Sequence, residues 1–320
     1  MRAIITGATG GLGRNLTHYL RELGWDILAM GRNHTIGYTL GVPFVVVELS
    51  NRSAVLNAFE KADVVFHCAA FSSPWGDYDL FYRANVLATR YVLEAMQYYH
   101  IPKIIHVSTP SIYFDFNDQF NVKEKDVAKK FVNHYAATKY AAEHEVLICD
   151  RESVIIRPRG IFGEHDHVLL PRLEKIGQKG FLPLIKNKEP LVDITYVLNV
   201  VHALHLAATQ SLPAKSIFNI TNGEPKTIRE IYTLIAQELS WKITYKEISY
   251  PLLMGIGSFL ECAAKWHLTA EPLITRYGVG LISHHQTLDI SHAQIVLGYQ
   301  PIYTIHEGIT RYGIWKNHTF

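Results

Sequence analysis

The chain has 320 residues, of which 48% are hydrophobic and 19% are charged, and its formal net charge is +2. This composition excludes a disordered chain, and the absence of a basic arm or an acidic tail argues against nucleic acid as a partner. The cysteines, Cys68, Cys149 and Cys262, are far apart and show no C-x-x-C spacing. That usage predicts a reducing, cytoplasmic setting without disulfides or structural zinc.

The first predicted element is a short strand, Arg2 to Thr6, followed by a glycine-rich loop and an amphipathic helix that Gly24 ends. The strand begins directly after Met1, so no secretory signal is predicted. In this context the glycines let the backbone approach a dinucleotide pyrophosphate, whose charge lies at the helix N-terminus. We therefore expect a dinucleotide cofactor at the loop residues Gly7, Thr9, Gly10, Gly11, Leu12 and Gly13.

The second predicted strand, Trp25 to Met30, should end at the adenosine ribose of that cofactor. Sites that prefer NAD usually place Asp or Glu there to bind the ribose 2′-hydroxyl. This chain has Arg32 instead, and a guanidinium suits a 2′-phosphate. The sequence therefore favours NADP(H), with NAD(H) as the other option if Arg32 is only a solvated loop arginine.

Strands and helices alternate through the next part of the chain, and the strands are almost continuously apolar, which predicts a parallel, doubly wound sheet. In such sheets ligands bind at the carboxyl ends of the strands. We therefore expect the cofactor beside residues that follow the third and fourth strands, Glu48, Leu49, Ala69 and Ala70, and the substrate near the next loop, at Pro74 and Trp75. Strands are predicted at 44–47, 64–66, 103–107 and 153–156, and helices at 52–60, 78–98 and 134–149.

After the fifth strand the chain carries the hydroxyl side chains of Ser108, Thr109 and Ser111. Hydroxyl residues next to a proline most commonly stabilise a turn, which is the alternative to a catalytic role. On the helix at 134–149, Tyr135 and Lys139 lie one turn apart on the same face. An adjacent cation favours the phenolate, so we expect Lys139 to lower the pKa of Tyr135. A Y-x-x-x-K pair alone is common, but hydroxyl, tyrosine and lysine together are the groups that hydride transfer to a carbonyl needs.

Taken together, these motifs resemble the extended short-chain dehydrogenase/reductases, within the 3β-hydroxysteroid dehydrogenase-like group. Inside that group the chain is most similar to bacterial 2-alkyl-3-oxoalkanoate reductases. The resemblance covers nearly the whole chain, and the segments that carry it are 6–13, 64–70, 84–86, 106–111, 135–139, 157–163, 169–173, 192–197 and 222–225.

The resemblance implies roles for individual residues. Tyr135 would be the proton donor or acceptor and Lys139 its partner, while the catalytic hydroxyl falls on Thr109, with Ser108 and Ser111 as near competitors. The segment from Pro158 to Ile161 would meet the nicotinamide carboxamide. The resemblance also implies a homodimer through the helices Tyr78–Tyr98 and Tyr135–Cys149.

The expected fold is a Rossmann-type α/β domain with a smaller, mostly helical C-terminal substrate lobe. The nucleotide domain should span 1–160 with a return segment at about 190–220, and the lobe 161–189 and 221–320. Asp193 is predicted to cap a helix from Ile194 to Ala208. Thr227 and Glu230 have the spacing of a capping box, which predicts a helix to about Leu239. Arg172 is a candidate ligand for a substrate carboxylate, although a surface arginine explains it equally well. The polar run 164–167 is expected to be a solvated loop and no metal is predicted.

The segment 251–268 is markedly apolar but short for a membrane span, and Glu261 and Lys265 interrupt it. Three interpretations stand: a lid over an apolar substrate, a peripheral membrane contact, or core packing.

The sequence therefore predicts an NADP(H)-preferring oxidoreductase that interconverts a 3-keto and a 3-hydroxy group on an apolar, long-chain acyl or steroid-like substrate. One alternative is a nucleotide-sugar epimerase or dehydratase of the same superfamily. A dehydratase would need acidic residues after Thr109, where Pro110 and Ser111 stand. The other alternative is a non-catalytic NADP(H)-sensing protein, which would need only the glycine loop.

Overall fold

A computed structural model describes residues 1–266, 272 and 274–319. Its fifteen strands within those residues are β1 Arg2–Thr6, β2 Asp26–Gly31, β3 Phe44–Val46, β4 Val64–His67, β5 Lys103–Val107, β6 Gln119–Val122, β7 Glu152–Pro158, β8 Ile161–Phe162, β9 Phe181–Ile185, β10 Leu191–Val192, β11 Thr195–Tyr196, β12 Ser216–Ile220, β13 Lys226–Thr227, β14 Thr244–Ile248 and β15 Gln286–Leu288.

Helices alternate with these strands, and two of the helices are joined by a π-helical stretch at Tyr82–Leu87. A 3₁₀ turn covers Pro110–Ile112 and a second π-helical stretch covers Ala293–Leu297. The helices of the described chain are α1 Gly11–Glu22, α2 His34–Tyr38, α3 Arg52–Ala58, α4 Tyr78–Phe81, α5 Ala88–Tyr98, α6 His134–Ile148, α7 Leu170–Gly177, α8 Val197–Thr209, α9 Ile228–Glu238, α10 Tyr250–Lys265, α11 Arg276–Leu281 and α12 Ile305–Thr319.

The main sheet has seven parallel strands in the order β12-β7-β5-β4-β1-β2-β3. Successive residues of a strand point to opposite faces, so Ile5 joins a core with Leu16 of α1 while Ile4 joins another with Val92 of α5. Helices therefore cover both faces, which explains why the strands are apolar throughout. The predicted Rossmann-type, doubly wound sheet is confirmed.

The smaller lobe packs around its own core, in which Leu182 of β9, Ile235 of α9 and Ile309 of α12 are buried together. It contains more strand than the sequence indicated: a four-stranded sheet, β13-β10-β15-β6, and two strand pairs, β11-β8 and β14-β9. The predicted capping box at its helix α9 is present, with Thr227 and Glu230 bonded to each other's backbone N–H groups.

The predicted helix cap at Asp193 is wrong. The extended strands β10 and β11 flank this residue, and α8 begins only at Val197. Asp193 is instead 2% exposed, and its Oδ2 accepts a hydrogen bond of 2.7 Å from the backbone N–H of Leu288. Pairing with β15, a strand 95 residues further along the chain, holds the segment extended where local propensity favoured a helix.

Candidate active site

The glycine loop is packed so closely that side chains are excluded from it. Gly7 has φ +71°, and a Cβ there would lie 2.7 Å from the backbone of Ala69, while a Cβ on Gly13 would lie 2.2 Å from the Gly7 oxygen. No side chain caps the N-terminus of α1 at Gly10, so the N–H groups of its first turn are oriented for an anion. The cradle fits a dinucleotide pyrophosphate.

The next loop residues extend this cradle toward the ribose. Thr9 of the loop packs against Gly31 at the end of β2, where a Cβ would lie 2.7 Å from Thr9 Oγ1. Arg32 follows, with a side chain that is 75% exposed, and its Nη1 lies 3.7 Å from Glu48 Oε2 at the end of β3. Since exposed ion pairs contribute little free energy, Glu48 does not hold Arg32 away from a phosphate. Leu49 is buried beside them.

Lys139 is 1% exposed, and its ammonium is held at the carboxyl end of β5. Its Nζ donates to the Val107 carbonyl at 2.7 Å and lies 3.2 Å from Nε2 of His106. Burial lowers the pKa of Lys139 to about 8, although Glu143 and Cys68 act to raise it. Burial likewise lowers the pKa of His67, to about 3, and that of His106, so both imidazoles beneath Lys139 are neutral.

Of the three candidate hydroxyls, Thr109 is the one that acts on the pKa of Tyr135. Burial raises this pKa to about 12, and hydrogen bonding by Thr109 opposes that rise. The expectation that Lys139 lowers this pKa is wrong for the observed geometry. The lysine is directed to β5, and desolvation of the phenol dominates. Ser108 Oγ is buried and has no hydrogen-bond partner within the described chain.

A chain of hydroxyl groups continues from Thr109 into the substrate lobe. Thr109 Oγ1 lies 2.9 Å from Ser111 Oγ, which lies 2.6 Å from the phenol oxygen of Tyr277 on α11. The ring of Phe114 packs edge-on against Tyr277, at 5.9 Å between centroids. Sequence reasoning did not identify Tyr277, because its contact with Ser111 joins residues 166 positions apart and no local motif marks it.

A cavity of about 510 Å³ opens beside this chain of hydroxyls. The predicted substrate residues Pro74 and Trp75 line it, whereas Arg172 lies on the exposed side of α7. The wall is mixed, with apolar side chains next to several charged ones. Its other members are Gly76, Asp77, Tyr78, Phe81, Phe116, Val132, Asn133, His134, Glu261, Ala264, Lys265, Arg276 and Tyr277.

The apolar segment predicted at 251–268 is described up to Trp266, and its last two residues lie outside the described part. Helix α10 buries Leu253 and Gly257 against the lobe, and its end reaches the cavity wall. Leu252, Phe259 and Trp266 remain exposed. No helix within the described residues is long and apolar enough to cross a membrane.

The segment after β7 also reaches the site. Pro158 is buried, Ile161 is partly buried, and Gly160 between them has φ +52°. The polar loop that follows is structural: Tyr196 donates to the Glu164 carboxylate, and Asp166 accepts from the backbone N–H groups of 168–170.

The chain is similar to known proteins in both sequence and fold. Residues 3–221 match the NAD dependent epimerase/dehydratase family. The chain is 32% identical to a 2-alkyl-3-oxoalkanoate reductase of Stenotrophomonas maltophilia, over 97% of this chain and 98% of the relative. It is 29% identical to a decarboxylating sterol-4-alpha-carboxylate 3-dehydrogenase of Mus musculus, over 97% and 89%. The structure of MoeE5 in complex with UDP-glucose and NAD matches it with a TM-score of 0.80 at 22% identity, over 100% and 99%.

Proposed function

This chain belongs to the NAD dependent epimerase/dehydratase family of extended short-chain dehydrogenase/reductases, and we propose that it reduces 3-keto groups, or oxidises 3-hydroxy groups, on an apolar substrate. The observation that carries the proposal is the grouping of Tyr135, Thr109 and the buried Lys139 at the carboxyl end of β5, beside a cavity. The names of the reductase and dehydrogenase relatives support the same reaction class.

In the proposed reaction, the bound nicotinamide supplies or accepts the hydride at the carbonyl carbon. Tyr135 donates its phenolic proton to the carbonyl oxygen during reduction and takes it back during oxidation. With a pKa of about 12 the phenol carries its proton at neutral pH, so it is an acid in the form that reduction requires. Thr109 positions the substrate oxygen, and Lys139 holds the cofactor ribose.

We propose NADP(H) as the preferred cofactor, with NAD(H) as the alternative that the family's description implies. The support is the exposed guanidinium of Arg32 at the carboxyl end of β2, where it can form charge-assisted hydrogen bonds to a 2′-phosphate.

We also propose two contact surfaces, one for a membrane and one for a second copy of the chain. The exposed apolar side chains Leu252, Phe259 and Trp266 near the cavity would contact a membrane surface from which an apolar substrate enters. Exposed Tyr98 and Ile148, on the two helices that the resemblance implies, would lie at a homodimer interface.

A second candidate function is epimerisation of a nucleotide sugar. It is favoured by the charged side chains Lys265 and Arg276 in the cavity wall, which could bind a diphosphate. An epimerase would return its cofactor unchanged after each turnover, which separates the two candidates experimentally.

The test is a panel of long-chain 3-oxo acids, 3-keto steroids and UDP- and dTDP-sugars, each incubated with NADPH or NADH. Oxidation of NADPH with an apolar ketone is the expected result. Conversion of a sugar nucleotide without net cofactor consumption would replace the reductase proposal with the epimerase. Tight cofactor binding with no conversion of any compound would contradict both and favour a sensing role.

A further inference from the structure

A second buried cation lies at the same edge of the sheet as the catalytic groups. Strand β7 pairs with β5 in a register that sets Ile156 opposite Val107, so Arg159 and Thr109 both emerge just beyond the carboxyl ends of neighbouring strands. The backbone of Arg159 is fixed on both sides, by its N–H bond to Ile220 O at 3.0 Å and by the Thr195 hydroxyl on its carbonyl at 2.5 Å.

Arg159 is only 8% exposed, yet its guanidinium donates no hydrogen bond within the described residues. Its Nε is buried without a partner. Arg157, two residues earlier, shows the opposite behaviour: its guanidinium is paired with Glu143 and also donates to Tyr113 and to a backbone carbonyl. Burying a cation is costly unless it is paired.

Arg159 interacts electrostatically with two groups close to the site. Tyr277 and Asp193 act to raise the pKa of Arg159, but burial outweighs them and lowers it. Tyr277 is the end of the hydroxyl chain that begins at Tyr135, and it also lines the cavity. Asp193 accepts the Leu288 N–H at its Oδ2. Within the described residues it forms no ion pair with Arg159, so the guanidinium donors remain available.

We infer that Arg159 binds a carboxylate on the substrate, at the carbon next to the carbonyl or carbinol that Tyr135 serves. This inference rests on the proposed function and assigns one residue of this chain to the acid group of a 3-oxo or 3-hydroxy acid. A guanidinium presents paired N–H donors that match a carboxylate, and the contact desolvates both charges together. Held between Arg159 and Tyr135, such a substrate has one orientation toward the nicotinamide.

The test compares one 2-alkyl-3-hydroxyalkanoate, oxidised with NADP⁺, with its methyl ester, which has the same chain but no charge. The hydroxy acid is used because 3-oxo acids lose carbon dioxide in solution. The variants are Arg159→Gln, Arg159→Lys, which keeps the charge, and Arg229→Gln as a matched control on α9, where the arginine pairs with Glu189 at the surface. Cofactor binding, followed by fluorescence, verifies that each variant is folded.

For Arg159→Gln, kcat/KM for the acid should fall by about 10- to 100-fold, and kcat/KM for the ester by less than about threefold. Arg159→Lys should recover part of the loss, and Arg229→Gln should behave as wild type. Equal losses on acid and ester would overturn the carboxylate contact while leaving the reductase proposal intact.

Calorimetric titration of the NADP⁺-loaded enzyme with the same acid separates the remaining outcomes. Binding that Arg159→Gln weakens, without turnover in the wild type, would support the carboxylate contact and overturn the proposed reaction. Absence of both binding and turnover would overturn both.

Discussion

At the Tyr135 hydroxyl, burial and hydrogen bonding act on the pKa in opposite directions, and burial dominates. The phenol is therefore a proton donor at neutral pH, and what makes it reactive is the environment that stabilises the phenolate once the proton has left. Thr109 supplies that stabilisation by hydrogen bonding, whereas the ammonium of Lys139 is directed to the Val107 carbonyl.

The buried ammonium of Lys139 predicts a pH dependence of stability. Its pKa is about 8 in the folded chain and about 10.4 in an unfolded chain, so the unfolded state binds more protons between these values and stability rises with pH there. In the folded chain neither Cys68, with a pKa of about 12, nor His67, with a pKa of about 3, titrates in this window, and both residues are unchanged in Lys139→Met. From pH of about 7 to about 9.5, the free energy of unfolding of wild type relative to Lys139→Met should rise by about 2 kcal/mol. Denaturant titrations at several pH values measure it, and a constant difference would contradict the assigned burial.

Arg32 predicts the cofactor preference. Arg32→Ala should weaken NADPH binding by about 10- to 100-fold, because it removes charge-assisted bonds to the 2′-phosphate, and should change NADH binding little. Fluorescence titration with both cofactors measures the ratio. Arg52→Ala removes a nearby arginine that pairs with Glu94 and serves as the control. Equal losses for NADPH and NADH in Arg32→Ala would contradict the assignment.

One face of helix α6 carries the catalytic groups and also anchors the helix to the core. Tyr135, Lys139 and Glu143 are spaced four residues apart, and the Glu143 carboxylate pairs with the buried Arg157 of β7 at 2.5 and 2.8 Å. The pair lies behind the site and contributes position rather than chemistry.

Removing one partner of this pair should destabilise the whole fold. Glu143→Gln leaves the Arg157 charge buried without a counter-charge, and we expect a loss of about 3 kcal/mol in the free energy of unfolding. On the same helix, Glu145 pairs with Arg90 nearer the surface, and Glu145→Gln should cost under about 1 kcal/mol. Chemical denaturation of both variants tests the contrast, and equal small losses would show that the buried pair does not anchor α6.

Helix α10 is the element on which the membrane proposal depends. Phe259 and Trp266 are each 73% exposed, and transferring two aromatic side chains into a lipid interface should contribute at least about tenfold to partitioning. The double variant Phe259→Ser/Trp266→Ser should therefore lose at least that factor in sedimentation with phosphatidylcholine–phosphatidylglycerol vesicles. Ile295→Ser, which changes another exposed apolar residue, is the control. Wild-type protein that stays in the supernatant would refute the proposal.

At the scale of the whole molecule, the features that the sequence predicted correctly depend on local interactions. The glycine loop, the apolar strands and the capping box at Thr227 depend on neighbours a few residues away, and each is present. The errors have tertiary causes. Asp193 is held extended by a distant strand, and the pKa of Tyr135 is set by burial rather than by the adjacent lysine.

The substrate side of the site was the least predictable part for the same reason. Tyr277 meets Ser111 only because the two lobes pack together, and nothing in its local sequence distinguishes it. Arg159 lies inside a segment assigned to the nicotinamide, but that its charge is buried and unpaired is a property of the folded chain alone. The sequence predicted Arg172 as a candidate ligand for a substrate carboxylate, but this residue is exposed in the fold.

The most direct test of the proposed reaction is transfer of deuterium from NADPH that carries deuterium at both C4 positions of the nicotinamide to a freshly prepared 2-alkyl-3-oxoalkanoate, analysed by mass spectrometry. We predict one deuterium at C3 of the 3-hydroxy product for each NADPH oxidised. Tyr135→Phe should bind the cofactor normally and reduce product formation at least about 100-fold. Product formed at an undiminished rate by Tyr135→Phe, or unlabelled product with the NADPH unchanged, would contradict the account.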